Sequence, residues 1–315
     1  MEKDERQLLI DVSVMYYLEG KTQNEIAKAL FISRPKVSRL LKKAREENIV
    51  DININYESDT LEKLQNEIKR KFNINNVVTV KTLTSYQDTR KEIGKAASKV
   101  LLEEIKDGMT IGISWGSYVR STVAQMKSKK IDNVKIVELF GAISYDLGEA
   151  GMLSIGTTLS SKIGGKLYPL PSPIYMEDKA AREALINSPI IKNSLNMIEN
   201  CDLIISGLGV IDRDIPQTLW DVYVENDAKD RIKSMGGVGF LCAHFFDENG
   251  EFLDLDINKN IIGIKTESIK KNKIILAAGG KKKAKAILAA LRGGYVDTLV
   301  SDDKTLRYVL ELMEK

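Results

Sequence analysis

Residues 21–49 read KTQNEIAKALFISRPKVSRLLKKAREENI. Thr22-Gln23-Asn24-Glu25 has the Ser/Thr-x-x-Glu spacing of a capping box, in which the Thr22 hydroxyl accepts an orphan amide and Glu25 reaches back. The helix it opens places Ile26 and Leu30 four apart on one face. Phe31-Ile32 makes a tight turn, Ser33 caps a second helix, and Pro35 suits that helix's first turn, where a missing amide hydrogen costs nothing. Val37, Leu40, Leu41 and Ala44 form its apolar stripe, and no acid stands between Ser33 and Arg45. Two short helices, a tight turn and a basic second helix describe a helix-turn-helix, whose second helix enters the major groove of DNA. An ordinary helical hairpin with a solvated basic face would not need capping, turn length, apolar spacing and charge all to agree.

Within that helix, Arg34, Pro35, Lys36 and Ser38 lie at the end that meets base edges, and Arg39, Lys42 and Lys43 are placed for phosphates. The partner this predicts is double-stranded operator DNA. Beyond it, Ile49–Asn55 alternates apolar and polar residues as a half-buried strand does, which predicts a small wing. Upstream, residues 5–19 predict a first helix with Leu8, Leu9, Val12, Met15 and Tyr16 on its core face.

The remaining composition is that of a globular protein: 315 residues, 43% hydrophobic and 29% charged. A net charge of +3 excludes a general nucleic-acid coat, so the positive charge of the second helix is a local feature. Cys201 and Cys242 are too few for a disulfide framework and predict reduced thiols, which with the polar N-terminus MEKDERQLL predicts a cytoplasmic protein. No apolar run approaches the roughly 18 residues that a membrane span requires.

The chain is expected to form a winged helix-turn-helix domain over 1–56 and a second domain over 57–315. Thr60–Phe72 predicts an amphipathic helix joining the domains or pairing with a second subunit. From Asn76 onward apolar strands alternate with helices, the pattern of a doubly wound α/β domain with a parallel sheet covered on both faces. Strands are expected at Val77–Val80, Met109–Ile113, Val134–Leu139, Lys166–Leu170, Asp202–Ser206, Lys273–Ala277 and Thr298–Ser301. Val238–Phe246 and Glu251–Leu255 predict an antiparallel hairpin about the Asn249-Gly250 turn.

In such sheets ligands bind beyond the carboxyl ends of the strands. Three ends carry small residues: Ser114-Trp115-Gly116-Ser117, Gly207-Leu208-Gly209, and Ala278-Gly279-Gly280 followed by Lys281, Lys282 and Lys283. Glycine admits close backbone approach, a helix start presents free amides, and lysine adds charge, which together suit a phosphate. Each loop alone equally suits a plain steric turn. His244, the one histidine, is open to a structural or a binding role, as are Trp115 and Trp220 lining the pocket or the core. One histidine and two distant cysteines make no zinc site; there is no phosphate-binding loop of the Walker type and no complete dinucleotide fingerprint, so no cofactor or metal is expected.

These features resemble the SorC/DeoR-like family of bacterial sugar-responsive transcription regulators over essentially the whole chain. The resemblance rests on SRPKVSRLL in the helix-turn-helix, Ile111–Ser117 (IGISWGS), Leu139–Ile143 (LFGAI), Leu170–Pro173 (LPSP), Cys242–Asp247 (CAHFFD) and Ala278–Ile287 (AGGKKKAKAI), followed by Ala289–Gly294. It implies a large domain related to sugar-phosphate isomerases and deaminases that has lost catalysis and binds a phosphorylated sugar or polyol. It implies that Ser114, Gly116 and Ser117 line the pocket, Gly207 and Gly209 form a second wall, and Lys283 meets the phosphate. It also implies a homo-oligomer, a dimer or more often a homotetramer built as a dimer of dimers. Three departures stand out. Phe140 replaces a lysine that forms a Schiff base in the deoxyribose-phosphate branch, His244 replaces a common arginine and would make a weaker, pH-sensitive anion contact, and Lys259-Asn260 replaces an Asp-Arg pair.

The alternative is a catalytically active sugar-phosphate isomerase or deaminase carrying a DNA-binding domain. It needs a positioned general base and acid. Asp146, Glu149, Glu177 and Asp256 could lie near the pocket, but no spacing singles out a pair.

Overall fold

The capping box forms. In the computed structural model the Thr22 hydroxyl accepts from the Glu25 amide at 3.3 Å, and the Glu25 carboxylate accepts from the Thr22 amide and hydroxyl, both at 2.8 Å. The structure describes residues 2–47, 49–50, 52, 58–142, 152–211 and 226–314, which divide into compact units Met1–Tyr56 and Glu57–Lys315.

In the first unit, α1 (Glu2–Ser13) runs into a π turn (Val14–Leu18), followed by α2 (Gln23–Ala29) and α3 (Arg34–Glu46). Leu9, Val12, Ile26, Val37, Leu40, Leu41 and Ala44 form their shared core. Tyr16, expected on the core face, is instead 37% exposed. The cause is the π turn, in which Glu19 bonds back five residues to the Val14 carbonyl; the wider turn rotates the last residues off the apolar stripe. The predicted wing strand over Ile49–Asn55 falls largely outside the described residues.

The second unit opens with α4 (Ser58–Phe72). Its seven parallel strands are β1 (Asn76–Val80), β2 (Thr110–Ile113), β3 (Lys135–Glu138), β4 (Lys166–Tyr168), β5 (Leu203–Ser206), β9 (Ile274–Ala277) and β10 (Thr298–Asp302), in the order β1-β10-β9-β5-β2-β3-β4. Side chains alternate between two cores, as the strand period of two requires. Leu203, Ile205, Ile275 and Ala277 face one core with α5 (Tyr86–Glu104), α6 (Ser117–Gln125) and α7 (Met152–Ile163). Ile204, Ile274 and Leu276 face the other with α4, α9 (Pro189–Glu199), α13 (Ala284–Arg292) and α14 (Asp303–Met313). The short α8 (Lys179–Ile186) precedes α9. This is a doubly wound α/β sheet. The path β1→β2→β3→β4 crosses it one way over the first face, and β4→β5→β9→β10 returns over the second, which keeps each crossover right-handed. Neighbours β2 and β5 therefore send their outgoing chains to opposite faces and open a crevice at their carboxyl ends.

Two expectations are corrected here. Leu64 and Ile68 of α4 are buried in the core of their own unit, so the stripe read as a partner surface is already spent. The hairpin is also displaced: β7 (Gly237–Leu241) and β8 (His244–Asp247) turn at Cys242 and Ala243, with φ of 47° and 72°. That two-residue turn needs positive φ at both positions, usually met by Asn-Gly, so the sequence concealed it. Asn249-Gly250 does turn, closed by Asp247 Oδ1 on the Asn249 and Glu251 amides, but beyond it the pairing is one isolated bridge, Phe246 with Phe252, made by the Asp247 amide on the Glu251 carbonyl and the Leu253 amide on the Phe245 carbonyl. The two-residue β6 (Gly209–Val210) joins β7, and α10 (Asn226–Ser234), α11 (Asp256–Lys259) and α12 (Thr266–Lys271) complete the described elements.

Candidate functional site

Two surfaces carry the predicted site residues, one in each unit. On α3, the Ser33 hydroxyl caps the helix at the Lys36 amide (3.4 Å), and Val37, Leu40, Leu41 and Ala44 turn inward. That orientation leaves Arg34, Pro35, Lys36, Ser38, Arg39 and Lys42 exposed. Lys43 departs from the expected set. It is half-buried and tied to Glu5 of α1, with Glu47 3.6 Å away, so its charge is answered within the unit. The Glu5 carboxylate holds the Lys43 ammonium above its ordinary range.

In the second unit, the sheet order brings the three glycine loops together, since β9, β5 and β2 are adjacent. Ser114 is buried and donates to the Ser206 hydroxyl at 3.0 Å, stitching the ends of β2 and β5. Its hydroxyl also accepts from the Gly207 amide at 3.4 Å. Gly116 caps α6 with φ 146°, and a Cβ there would meet nothing within 4 Å, so this helix start faces open space beside exposed Ser117. Tyr118 then reaches across and donates to the Gly279 carbonyl at 2.7 Å. Lys283 lies 4.9 Å from the Tyr118 ring centroid and donates to the Leu208 carbonyl. Loops from β2, β5 and β9 are thus linked through Tyr118 and Lys283.

The electrostatics centre on Lys283. Burial, then the nearby Arg90 guanidinium, pulls its ammonium down to about 8, and among the described residues no carboxylate pairs with it. Arg120 is lowered by burial and by the same Arg90. Arg90 thus disfavours the charged form of both Lys283 and Arg120. Gly280 (φ 97°) donates to Thr305 Oγ1 at 2.7 Å and Asp302 Oδ2 at 3.3 Å, which holds the loop's shape. Sequence reasoning missed Tyr118, Arg90, Asp302 and Thr305. Tyr118 directly follows the quoted motif, but Arg90 lies on a helix whose proximity only the sheet order creates.

Gly209 has a different explanation from a ligand wall: a Cβ there would fall 1.9 Å from the Phe240 ring across the β6–β7 pair. His244 is buried on the hairpin strand β8. It is 4% exposed, with Nε2 2.7 Å from the Ile264 carbonyl and its ring against Phe252. Burial pushes its imidazole down to about 4, which keeps it neutral near pH 7 and argues against a charged anion contact, while its buried Nδ1 has no hydrogen-bond partner among the described residues. Asp256 stands exposed in the first turn of α11. Phe140 is buried, and Lys259 pairs with Asp254 at 2.6 Å. Trp115 is half-buried between the two cores. Trp220, Asp146 and Glu149 lie outside the described residues. Burial pushes both free thiols, Cys201 and Cys242, up to about 12.

The depressed His244 value sets a pH dependence. The unfolded chain binds a proton on this side chain near 6.5 and the folded chain only near 4, so its contribution is full above 6.5 and is lost as pH falls toward 4. His244→Phe is expected to flatten that limb of the stability–pH curve by roughly 3 kcal/mol. Urea unfolding from pH 4.5 to 8 checks it; an unchanged limb would contradict the neutral, buried assignment.

Among the described residues no cluster of His, Cys, Asp and Glu is arranged to hold a metal ion, and no helix is long and apolar enough to cross a membrane. A helix-turn-helix with an exposed basic helix, in one chain with a doubly wound domain whose strand ends carry cations, defines the class of ligand-binding transcriptional regulators. Residues 57–311 match the family described as "Putative sugar-binding domain", and residues 4–47 match Sigma-70, region 4. The chain belongs to that sugar-binding family and is a member of the SorC/DeoR-like transcriptional regulators. It is 28% identical over 311 residues to the deoxyribonucleoside regulator of Bacillus subtilis, covering 98% of each chain. It is 26% identical over 315 residues to the sorbitol operon regulator of Klebsiella pneumoniae, covering 98% of this chain and 99% of that one. The crystal structure of full-length SorC from Klebsiella pneumoniae superimposes with a TM-score of 0.78 at 25% identity, covering 96% of this chain and 98% of that one. These full-length relatives are named regulators, not enzymes.

Proposed function

We propose that this regulator controls a carbohydrate-utilisation operon and that a phosphorylated sugar or polyol, bound at the β2–β5–β9 crevice, sets its affinity for operator DNA. The observation that carries the proposal is Lys283: a partly buried ammonium, without a carboxylate partner among the described residues, at the meeting of three glycine loops. A phosphate offers the countercharge this group lacks, and the open α6 N-terminus at Gly116 and Ser117 offers amides for its remaining oxygens. The polyol hydroxyls then face Gly207 and the Gly279-Gly280 loop. Regulation requires the ligand to prefer one conformation; a coupling of about 1–3 kcal/mol shifts operator affinity roughly 5–150-fold. A homotetramer, as a dimer of dimers, is proposed with it, since paired half-sites require paired recognition helices.

The test is fluorescence anisotropy of the full chain on DNA from upstream of its own operon, titrated with a panel of phosphorylated sugars and polyols. One compound shifting the curve at micromolar concentration identifies the effector and the sign of its action. Specific binding that no compound moves would overturn the crevice assignment.

The same assay separates the roles on α3. Lys36→Ala is expected to reduce discrimination between operator and random DNA, because Lys36 lies at the helix's base-reading end. Lys42→Ala is expected to weaken both nearly equally and to lower the salt slope by about one. Equal uniform losses in both variants would contradict this docking.

A further inference from the structure

Phe31 stands where two costs coincide. It is 96% exposed, and its φ is 51°, the left-handed region that L side chains avoid. Its backbone has no freedom to escape. After α2 the Ile32 amide donates to the Ala27 carbonyl at 3.0 Å and the Phe31 amide to the Lys28 carbonyl at 3.4 Å, a complete Schellman closure. Phe31 occupies the residue of that closure where glycine, or asparagine, is the favoured occupant. Among the described residues nothing in the unit rewards phenylalanine here, since its ring lies outside the core that Ile26, Val37 and Leu40 form. Strain and exposure retained together at one residue point to a contact made outside the folded chain.

The position says with what. Phe31 stands two residues before the α3 cap at Ser33, a few residues along the chain from exposed Arg34 and Lys36, and follows exposed Lys28 on α2. That surrounding charge is complementary to a polyanion. We propose that Phe31 is a DNA-contact residue, its ring covering the apolar deoxyribose edge of the backbone beside the groove that α3 enters. The inference rests on α3 being the recognition helix. The surrounding cations bring the phosphates close; the ring covers the sugar carbons between them and fixes how deeply the helix start is seated.

Phe31→Gly separates this from a structural role, because the two move in opposite directions. Glycine adopts the left-handed conformation freely, so the full-length variant is expected to melt no lower than the parent. Its operator affinity is expected to fall about tenfold, the scale of uncovering part of a phenyl ring, with an unchanged salt slope because no phosphate contact is lost. Phe31→Tyr, which keeps the ring, is expected to bind as the parent. Parent-like operator binding by Phe31→Gly overturns the inference, as does a loss accompanied by a changed salt slope. A variant that loses DNA because light scattering shows smaller oligomers also overturns it, by assigning the ring to a second copy of the chain. Lys36→Ala run alongside distinguishes the two levels. If it too leaves operator binding intact, the recognition-helix reading fails; if it alone loses binding, only the assignment of Phe31 falls.

Discussion

Lys283→Met is expected to bind operator DNA as the parent does and to lose its response to the phosphorylated effector. Methionine keeps most of the apolar stem beside Tyr118 and removes the charge together with the hydrogen bond to the Leu208 carbonyl. The lost charge-assisted hydrogen bond is worth about 2–3 kcal/mol, or roughly 30- to 150-fold in effector affinity. The pH dependence of the parent gives an independent reading. Burial and Arg90 hold Lys283 near 8, and an entering anion raises it, so binding takes up a proton and weakens as pH rises through 8. Calorimetry in two buffers of different ionisation enthalpy near pH 8 detects that proton in the parent and not in the variant. A normal dose response in Lys283→Met would remove Lys283 from the site.

Gly279→Ala is expected to destabilise the large unit by about 1–3 kcal/mol, the range for overpacking, and to abolish the effector response. A Cβ at this buried position would lie 2.6 Å from Asp302 Oδ2 and 2.6 Å from the Ile93 Cδ1 atom. The carboxylate cannot retreat cheaply. It accepts from Thr82 Oγ1 at 2.6 Å, Thr305 Oγ1 at 2.6 Å and the Thr305 amide at 3.1 Å. The backbone must move instead, and with it the Gly279 carbonyl that receives Tyr118 and the loop leading to Lys283. Gly207→Ala is the control. Its Cβ would meet Val119 at 3.7 Å and the Ala277 carbonyl at 3.9 Å, ordinary contacts that require no shift. Urea unfolding of both variants checks the contrast; a Gly279→Ala midpoint equal to the parent's would contradict it.

The hairpin and the buried histidine show where sequence patterns stop short. Asn249-Gly250 has the strongest turn signal in its region and does turn, yet the hairpin closes at Cys242-Ala243, which carries none. There the pairing of Phe240 with Phe245 and Leu241 with His244 outweighs the local preference of the turn residues. His244 sits on an apolar strand in a motif where the family often has arginine, and no local signal distinguishes a buried imidazole from one facing a ligand. Tyr16 followed a regular helical period that the π turn interrupts.

By itself the sequence determined what depends on neighbours along the chain. The capping box at Thr22 and Glu25, the apolar stripe and basic face of α3, and the alternation of buried strands with helices are all set by contacts within a few residues. Short-range periodicity and capping chemistry suffice to read them. Only the tertiary structure decided what depends on order across the sheet: that β9, β5 and β2 lie side by side, that Arg90 from α5 bears on Lys283, and that Asp302 braces the Gly279-Gly280 loop. Those partners are separated by up to some two hundred residues and meet through strand order, for which a linear sequence has no period. The same global packing buried His244, because burial is a property of the finished core and not of the strand on which the residue lies.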